Sequence, residues 1–411
     1  MTKIKPIKIG KRLVGPGFPT YIIFEVASTH ANDWNLAKMY VKQAQEAGAD
    51  AIKFQLFTAD NLLNPISSIL RPTYEYFKTA EIPREWFPKL KKLCSEEEIH
   101  LLCTPFDEDA ATFLNEIGLP AVKIASGDLT YHQLLRHVAK FGKPVILSTG
   151  VAIMKEVKEA VNVLQNAGCQ QLAVLQCVSV YPMPYQAANA RVIQTYKEKL
   201  NTIVGYSDNG SNGILVPLVA VSLGASVIEK HVTSQKQRGN MDDIFSLTVE
   251  EFGQMVKRIR KLEKDYQGRL GEALTELRGE FGKVVDIILG SRVKEPSSVS
   301  IQRPGEITVM DEWRERRLVR RGIYPKRKIP KGTTITEDML ITLRPDIGVS
   351  SKDYRKIIGA IASEDLSAKH PIKFDNGKKV SLFKKSDLVV TYTQPEDDNV
   401  IKVLEKTATF D

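Results

Sequence analysis

The sequence predicts an α/β protein, a TIM-type (β/α)8 barrel followed by a small, mostly-β module. From Tyr21 to about Leu262 one unit recurs: an apolar strand, a polar break, an amphipathic helix and a glycine just ahead of the next strand. The strands are nearly continuous in Val, Ile and Leu, the pattern of parallel strands covered on both faces. From Val319 the pattern changes to short strands and turns. A doubly wound open sheet is the alternative for the first region, and eight units in series favour a barrel.

The expected strands are 21–26, 51–57, 100–103, 121–125, 144–148, 172–177, 202–206 and 226–231. Between them Gly48, Gly118, Gly142, Gly168 and Gly224 each follow a helical pattern, where glycine ends a helix in the left-handed conformation. The last helix is the clearest. Thr248 and Glu251 form a capping box, and Phe252, Met255, Val256, Ile259 and Leu262 share one face. The expected divisions are a barrel over 1–270, a linker over 271–318, the small module over 319–380 and a tail over 381–411. Glu295 to Gly305, with its Pro and Ser, reads as exposed linker, and the basic run RERRLVRRGIYPKRK at 314–328 as a solvated one.

The 411 residues suffice for a barrel of about 250 residues and one smaller domain. No apolar run approaches the roughly 20 residues that span a bilayer. The start, MTKIKPIKIGKRLVGPG, carries basic residues without an apolar core after them, so a cytosolic protein with no membrane partner is expected. Cys94, Cys103, Cys169 and Cys177 show no CxxC spacing and are expected as free thiols. The net charge of +9 suits anionic substrates; no stacked-aromatic pattern accompanies it, which argues against nucleic acid.

Two strands carry a lysine inside an apolar run, Lys53 in AIKFQLF and Lys123 in AVKIASGD. A lysine there costs several kcal/mol of desolvation unless an anion meets it. One such lysine reads as snorkelling or as paired with a buried carboxylate. Two at matched depth, one followed by Ser126 and Gly127, read as converging on a single anion.

In a barrel of this type the active site lies at the C-terminal ends of the strands. In order, those ends supply Glu25; Lys53 and Gln55; Thr104 and Asp107; Lys123, Ser126 and Asp128; Ser148 and Thr149; Ser179 and Tyr181; Ser207, Asp208 and Asn209; and Glu229, Lys230 and His231. Lysines and hydroxyls beside glycine-rich backbone suit a phosphate or a phosphorylated carboxylate. Acids at the opposite rim suit polyol binding or proton transfer. No hydrolase-type nucleophile and base pair stands out. A Schiff-base lysine is an open alternative.

The segments IFEVASTHANDWNLAKMYVKQAQEAGADAIKFQ, CTPFD, VKIASGD, STG, YPMPY, GYSD and IEKH, in that order, resemble the sialic acid synthase family of N-acetylneuraminate, legionaminate and pseudaminate synthases. The stretch IPKGTTITEDMLITLRPDIGVS resembles their antifreeze-like (SAF) domain. The resemblance implies condensation of phosphoenolpyruvate (PEP), through its C3, with the aldehyde carbon of an open-chain N-acetylated mannosamine-type sugar. Water adds at C2 and phosphate leaves, giving a nine-carbon 2-keto acid. It further implies that Lys53, Thr104, Lys123, Ser126, Ser148, Ser179 and Ser207 hold PEP. Glu25, Gln55, Tyr181 and Asp242 would contact the sugar, with Glu25, Lys53, Lys123 and Asp128 as the catalytic set. A divalent metal, Mn²⁺ or Mg²⁺, would polarise the aldehyde. The family forms a domain-swapped homodimer, so Arg344 is expected in the partner's barrel, at the acetamido end of the sugar.

The chain departs from the family pattern at several positions. Ser179 stands where some members have asparagine, and Asp128 replaces a glutamate. Of two family metal-binding histidines, His231 is kept and Asn209 takes the place of the other, leaving an amide oxygen suited to a hard cation. A family AsnHisAsnGly stands here as Thr29, His30, Ala31 and Asn32. These changes motivate the alternative of a catalytically altered or inactive homologue that binds a sugar or a partner. Lys230, Lys236 and Arg238 are the candidate pocket for a phosphorylated acceptor.

Overall fold

The computed structural model describes residues 4–210, 213–236, 239–303, 306–375, 377–384 and 387. Arg238 and almost all of the expected tail lie outside the described residues. Eight parallel strands form the barrel: β1 Tyr21–Glu25, β2 Ala51–Leu56, β3 His100–Pro105, β4 Val122–Ile124, β5 Val145–Ser148, β6 Leu172–Cys177, β7 Ile203–Asp208 and β8 Val227–Thr233. The hydrogen-bonded order is β3-β2-β1-β8-β7-β6-β5-β4, and β3 packs beside β4 to complete the ring. The five helix-ending glycines all have positive φ, between 67° and 106°. The helix Val249–Asp265 starts with the expected Thr248 and Glu251 capping box and buries the expected face on the barrel.

Two cores follow from the alternation of side chains along the strands. The outward-facing one, with Ile22, Phe24, Ile52, Phe54 and Leu147 among its members, packs against the surrounding helices. The inward-facing one fills the barrel and is capped at the N-terminal end by the antiparallel hairpin Ile7–Ile9 and Arg12–Val14. Ile7, Ile9 and Val14 of that hairpin are buried against Tyr21, Ile23 and Val227 of the barrel. The lower end is therefore plugged by apolar side chains, and the polar strand ends gather at the other.

The linker expected over 271–318 holds regular structure, and within the stretch read as exposed Glu295 and Ser298 are exposed while Pro296 and Ser297 are buried. Helices Ala273–Phe281 and Val284–Leu289 bury Leu277, Val285, Ile288 and Leu289 in the barrel's outer core. Ser298–Arg303 pairs antiparallel with Glu306–Asp311, and the helix Glu312–Val319 follows. The middle of the basic run is docked, whereas Arg314, Lys326, Arg327 and Lys328 are exposed as expected. Arg316 and Arg320 both bind the Glu156 carboxylate, Arg320 at 2.7 Å from each oxygen. Arg321, 1% exposed, donates from Nε to Asp128 at 2.7 Å. These carboxylates lie more than 150 residues away in sequence, so nothing local announces the pairing. The SAF-like module begins there, with Gly322–Pro325 antiparallel to Leu340–Leu343, a second small sheet, and its own core around Ile323, Ile329 and Ile335.

Candidate active site

Lys53 and Lys123 reach into the barrel with 2% and 3% of their surface exposed. Lys53 Nζ lies 2.7 Å from Glu25 and 3.7 Å from Glu229, and donates to Thr104 Oγ1 at 3.2 Å. Lys123 Nζ donates to Ser148 Oγ at 2.7 Å and stands 3.6 Å from the same Glu229 oxygen. Without ligand, the anion on which both lysines converge is thus the carboxylate of Glu229. Sequence reasoning placed Glu229 at a strand end without a role, although two buried ammoniums require acids at their own depth.

The charges settle one another. Burial depresses Lys123 and is only partly opposed by Glu229. For Lys53 burial acts in the same sense, but Glu229 and Glu25 outweigh it and its pKa rises. Burial pushes Glu229 up, yet Lys123 and Lys53 hold it below the usual carboxylate range.

Hydroxyls surround this cluster because the strands run in register. Ser207 sits opposite both Glu229 and Cys177, and donates to Glu229 at 3.1 Å. Ser126 Oγ accepts the Gly150 N–H at 2.9 Å, and a Cβ on Gly150 would collide with Ser179 Oγ. Glycine is needed there for the two serines to approach. Thr104, Ser126, Ser148, Ser179 and Ser207 all line one cavity of about 670 Å³ with the two lysines.

The outer part of the same cavity holds the expected sugar contacts. Gln55 donates to Glu25 at 2.8 Å. Asp242 accepts the Ser28 N–H at 2.8 Å, and the half-exposed Tyr181 packs its ring 4.9 Å from Phe245. Arg344 also lines it, and it comes from the same chain. Its N–H donates to Leu62 O at 2.9 Å, and its guanidinium lies 5.5 Å from the Phe106 ring. In the single chain the paired arginines of 316–321 hold the module on its own barrel. Burial lowers Arg344 to about 10, against the pull of Asp128, so it stays charged at neutral pH.

Asp128 does not reach the cavity. It is fully buried, bound to Arg321, and 3.9 Å from Arg344 Nη2, so it sets the arginine's position and touches no cavity ligand. Lys230 is sealed against Asp208 at 2.7 Å, and Lys236 pairs with Glu251 at 2.8 Å; neither lines the cavity. His30 turns into the fold, where Nδ1 accepts from Asn32 N at 2.9 Å and burial lowers its pKa to about 4.

Among the described residues, four buried polar atoms of cavity-lining residues have no hydrogen-bond partner: Glu25 Oε2, which meets Lys53 only as an ion pair, Glu229 Oε2, His231 Nδ1 and Arg344 Nε. Such atoms are rare in folded proteins and are satisfied by what binds there. For a cation, His231 offers that Nδ1. Asn209 donates its Nδ2 to Val178 O at 2.8 Å, which commits the amide nitrogen and leaves the oxygen for a metal. No cluster of three or more His, Cys, Asp or Glu suited to a metal occurs among the described residues. One imidazole and one amide oxygen fit a hard divalent ion that draws its remaining ligands from water and substrate.

Residues 40–269 match the model of the NeuB family, and residues 320–376 that of the SAF domain. An uncharacterised protein of Methanocaldococcus jannaschii is 41% identical over 355 residues, covering 86% of this chain and 93% of that protein. The N,N'-diacetyllegionaminic acid synthase of Legionella pneumophila is 34% identical over 371 residues, again covering 86% and 93%. The crystal structure of the spore coat polysaccharide biosynthesis protein SpsE of Bacillus subtilis superposes with a TM-score of 0.72 at 30% identity, covering 89% of this chain and 97% of that one. The chain belongs to the NeuB family of sialic acid synthases and carries the SAF module appended to it.

Proposed function

We propose that the protein condenses PEP with an N-acetylated mannosamine-type sugar to form a nonulosonic acid and inorganic phosphate. The observation that carries the reading is the pair Lys53 and Lys123, buried at one depth and ringed by Thr104, Ser148 and Ser207 on a single cavity. These groups offer the charge-assisted hydrogen bonds that phosphate and carboxylate oxygens require. Ser126 and Ser179 complete the phosphate side. Glu25, Gln55, Tyr181, Asp242 and Arg344 face the sugar, with Arg344 at its acetamido end.

In this reaction PEP C3 bonds to the aldehyde carbon and water adds to C2. The tetrahedral C2 then expels phosphate and becomes the ketone. Glu25, hydrogen-bonded to Gln55 and paired with Lys53, would pass a proton to the alkoxide that the aldehyde becomes. Lys53 and Lys123 are balanced by Glu25 and Glu229, so multiply charged PEP brings negative charge that the lysines alone leave uncompensated. A divalent cation on His231 and Asn209 would supply the compensating positive charge and Lewis-acid polarisation of a carbonyl oxygen.

The test is phosphate release from PEP across a panel of N-acetylated six-carbon sugars, with Mn²⁺, Mg²⁺ or EDTA. Release that requires one sugar supports the synthase. No release by folded protein under any of these conditions would overturn it in favour of an altered, binding homologue. Trapping of a lysine by borohydride would instead support Schiff-base chemistry.

A further inference from the structure

The segment joining the two modules, outside both family matches, supplies part of the site. Its helix Glu312–Val319 begins with a glutamate that is fully buried and does not line the cavity. One oxygen of Glu312 accepts the N–H of Val151 at 2.8 Å and that of Ser179 at 2.6 Å. The other accepts the N–H of Ser297 at 2.7 Å. Val151 follows Gly150, whose own N–H binds Ser126, and Ser179 follows β6 by two residues. A single carboxylate therefore ties the loop after β5, whose Gly150 binds Ser126 from the loop after β4, to the loop after β6, which carries Ser179. Buried Lys294, from the same segment, donates to Cys177 O at 3.2 Å and reinforces the tie at the end of β6. The rest of the helix lays Arg314, Glu315, Leu318 and Val319 along the cavity wall.

We propose that Glu312 is a positioning residue for the phosphate side of the cavity, acting through the Val151 and Ser179 backbones. An acceptor-only carboxylate suits three converging N–H groups, whereas an amide would turn a donor toward at least one of them. The proposal rests on the reading of the cavity as a PEP site, and its test separates the two.

Glu312→Gln is compared with Glu198→Gln, which loosens the same joining segment at Arg292 through a carboxylate on neither loop. Glu312→Gln is expected to raise the KM and the calorimetric Kd for PEP about tenfold or more, while kcat falls less than about threefold. Glu312→Asp, which keeps the charge but retreats by a methylene, is expected to fall between; it serves if the glutamine variant does not fold. Glu198→Gln should leave KM for PEP unchanged. Hydrogen exchange supplies a readout independent of PEP: the Val151 and Ser179 amides should exchange faster in Glu312→Gln and not in Glu198→Gln. An unchanged PEP constant in Glu312→Gln, or an equal change in Glu198→Gln, overturns the positioning role. If the wild-type protein neither binds nor consumes PEP, the proposed function fails, and the exchange pattern alone decides whether Glu312 holds the two loops.

Discussion

Glu156 is the main anchor of the arm that carries the SAF module onto the barrel, and its replacement by glutamine tests how that docking is held. Burial would raise its pKa, but Arg320 and Arg316 bring it from 4.5 down to about 2. That difference corresponds to about 3 kcal/mol of docking at neutral pH. The side chain is only 7% exposed, so solvent screening removes little of it. Because the folded-state pKa is depressed, the contribution is complete above about 4.5 and is lost as the pH falls toward about 2. In Glu156→Gln the amides of Glu312–Val319 should exchange a few hundredfold faster at neutral pH, with protection of the barrel strands unchanged. Acidification of the wild type through the same window should reproduce the effect. A difference below about threefold would refute the assignment of Glu156 as the anchor, since an ion pair of this burial cannot be lost so cheaply.

Three further outcomes are expected. Mixing Lys53→Ala and Arg344→Ala proteins assigns Arg344 to a barrel: a module serving its own barrel, as in the single chain, restores no activity, whereas a domain-swapped dimer recovers roughly a quarter of the wild-type rate through complementary sites. Lys123→Met should lower kcat/KM for PEP by about a thousandfold. It should also move the acid limb of the pH profile upward, since Lys123 is the first of the cations that hold Glu229 down. Asn209→His should tighten Mn²⁺ binding, measured by calorimetry without substrate, by about tenfold or more, and His231→Ala should abolish it; equal affinities in all three proteins would remove the metal assignment.

The barrel was legible because burial on both faces leaves a strand little choice but Val, Ile and Leu, and because five helices end on glycines with positive φ. The two lysines stood out for the converse reason, as charges where burial forbids them. What escaped reading depends on partners distant in the chain. The run RERRLVRR has the composition of a solvated segment, and only Glu156 and Asp128 make its arginines buried ones. Asp128 looked like a strand-end contact until Arg321 claimed it. Glu229 looked like one acid in a motif, and its place between Lys53 and Lys123 emerges only when β2, β4 and β8 curl into one ring.

The apolar hairpin of Ile7–Ile9 and Arg12–Val14 makes the catalytic chamber a blind well. Whatever enters it enters and leaves by the open end. Under the proposed function, PEP on the buried Lys53 and Lys123 would lie below a sugar resting on the half-exposed Tyr181, and so would arrive first. The acceptor bound first would bar the way. Steady-state kinetics should therefore be ordered, with PEP leading, and excess sugar should inhibit in competition with it.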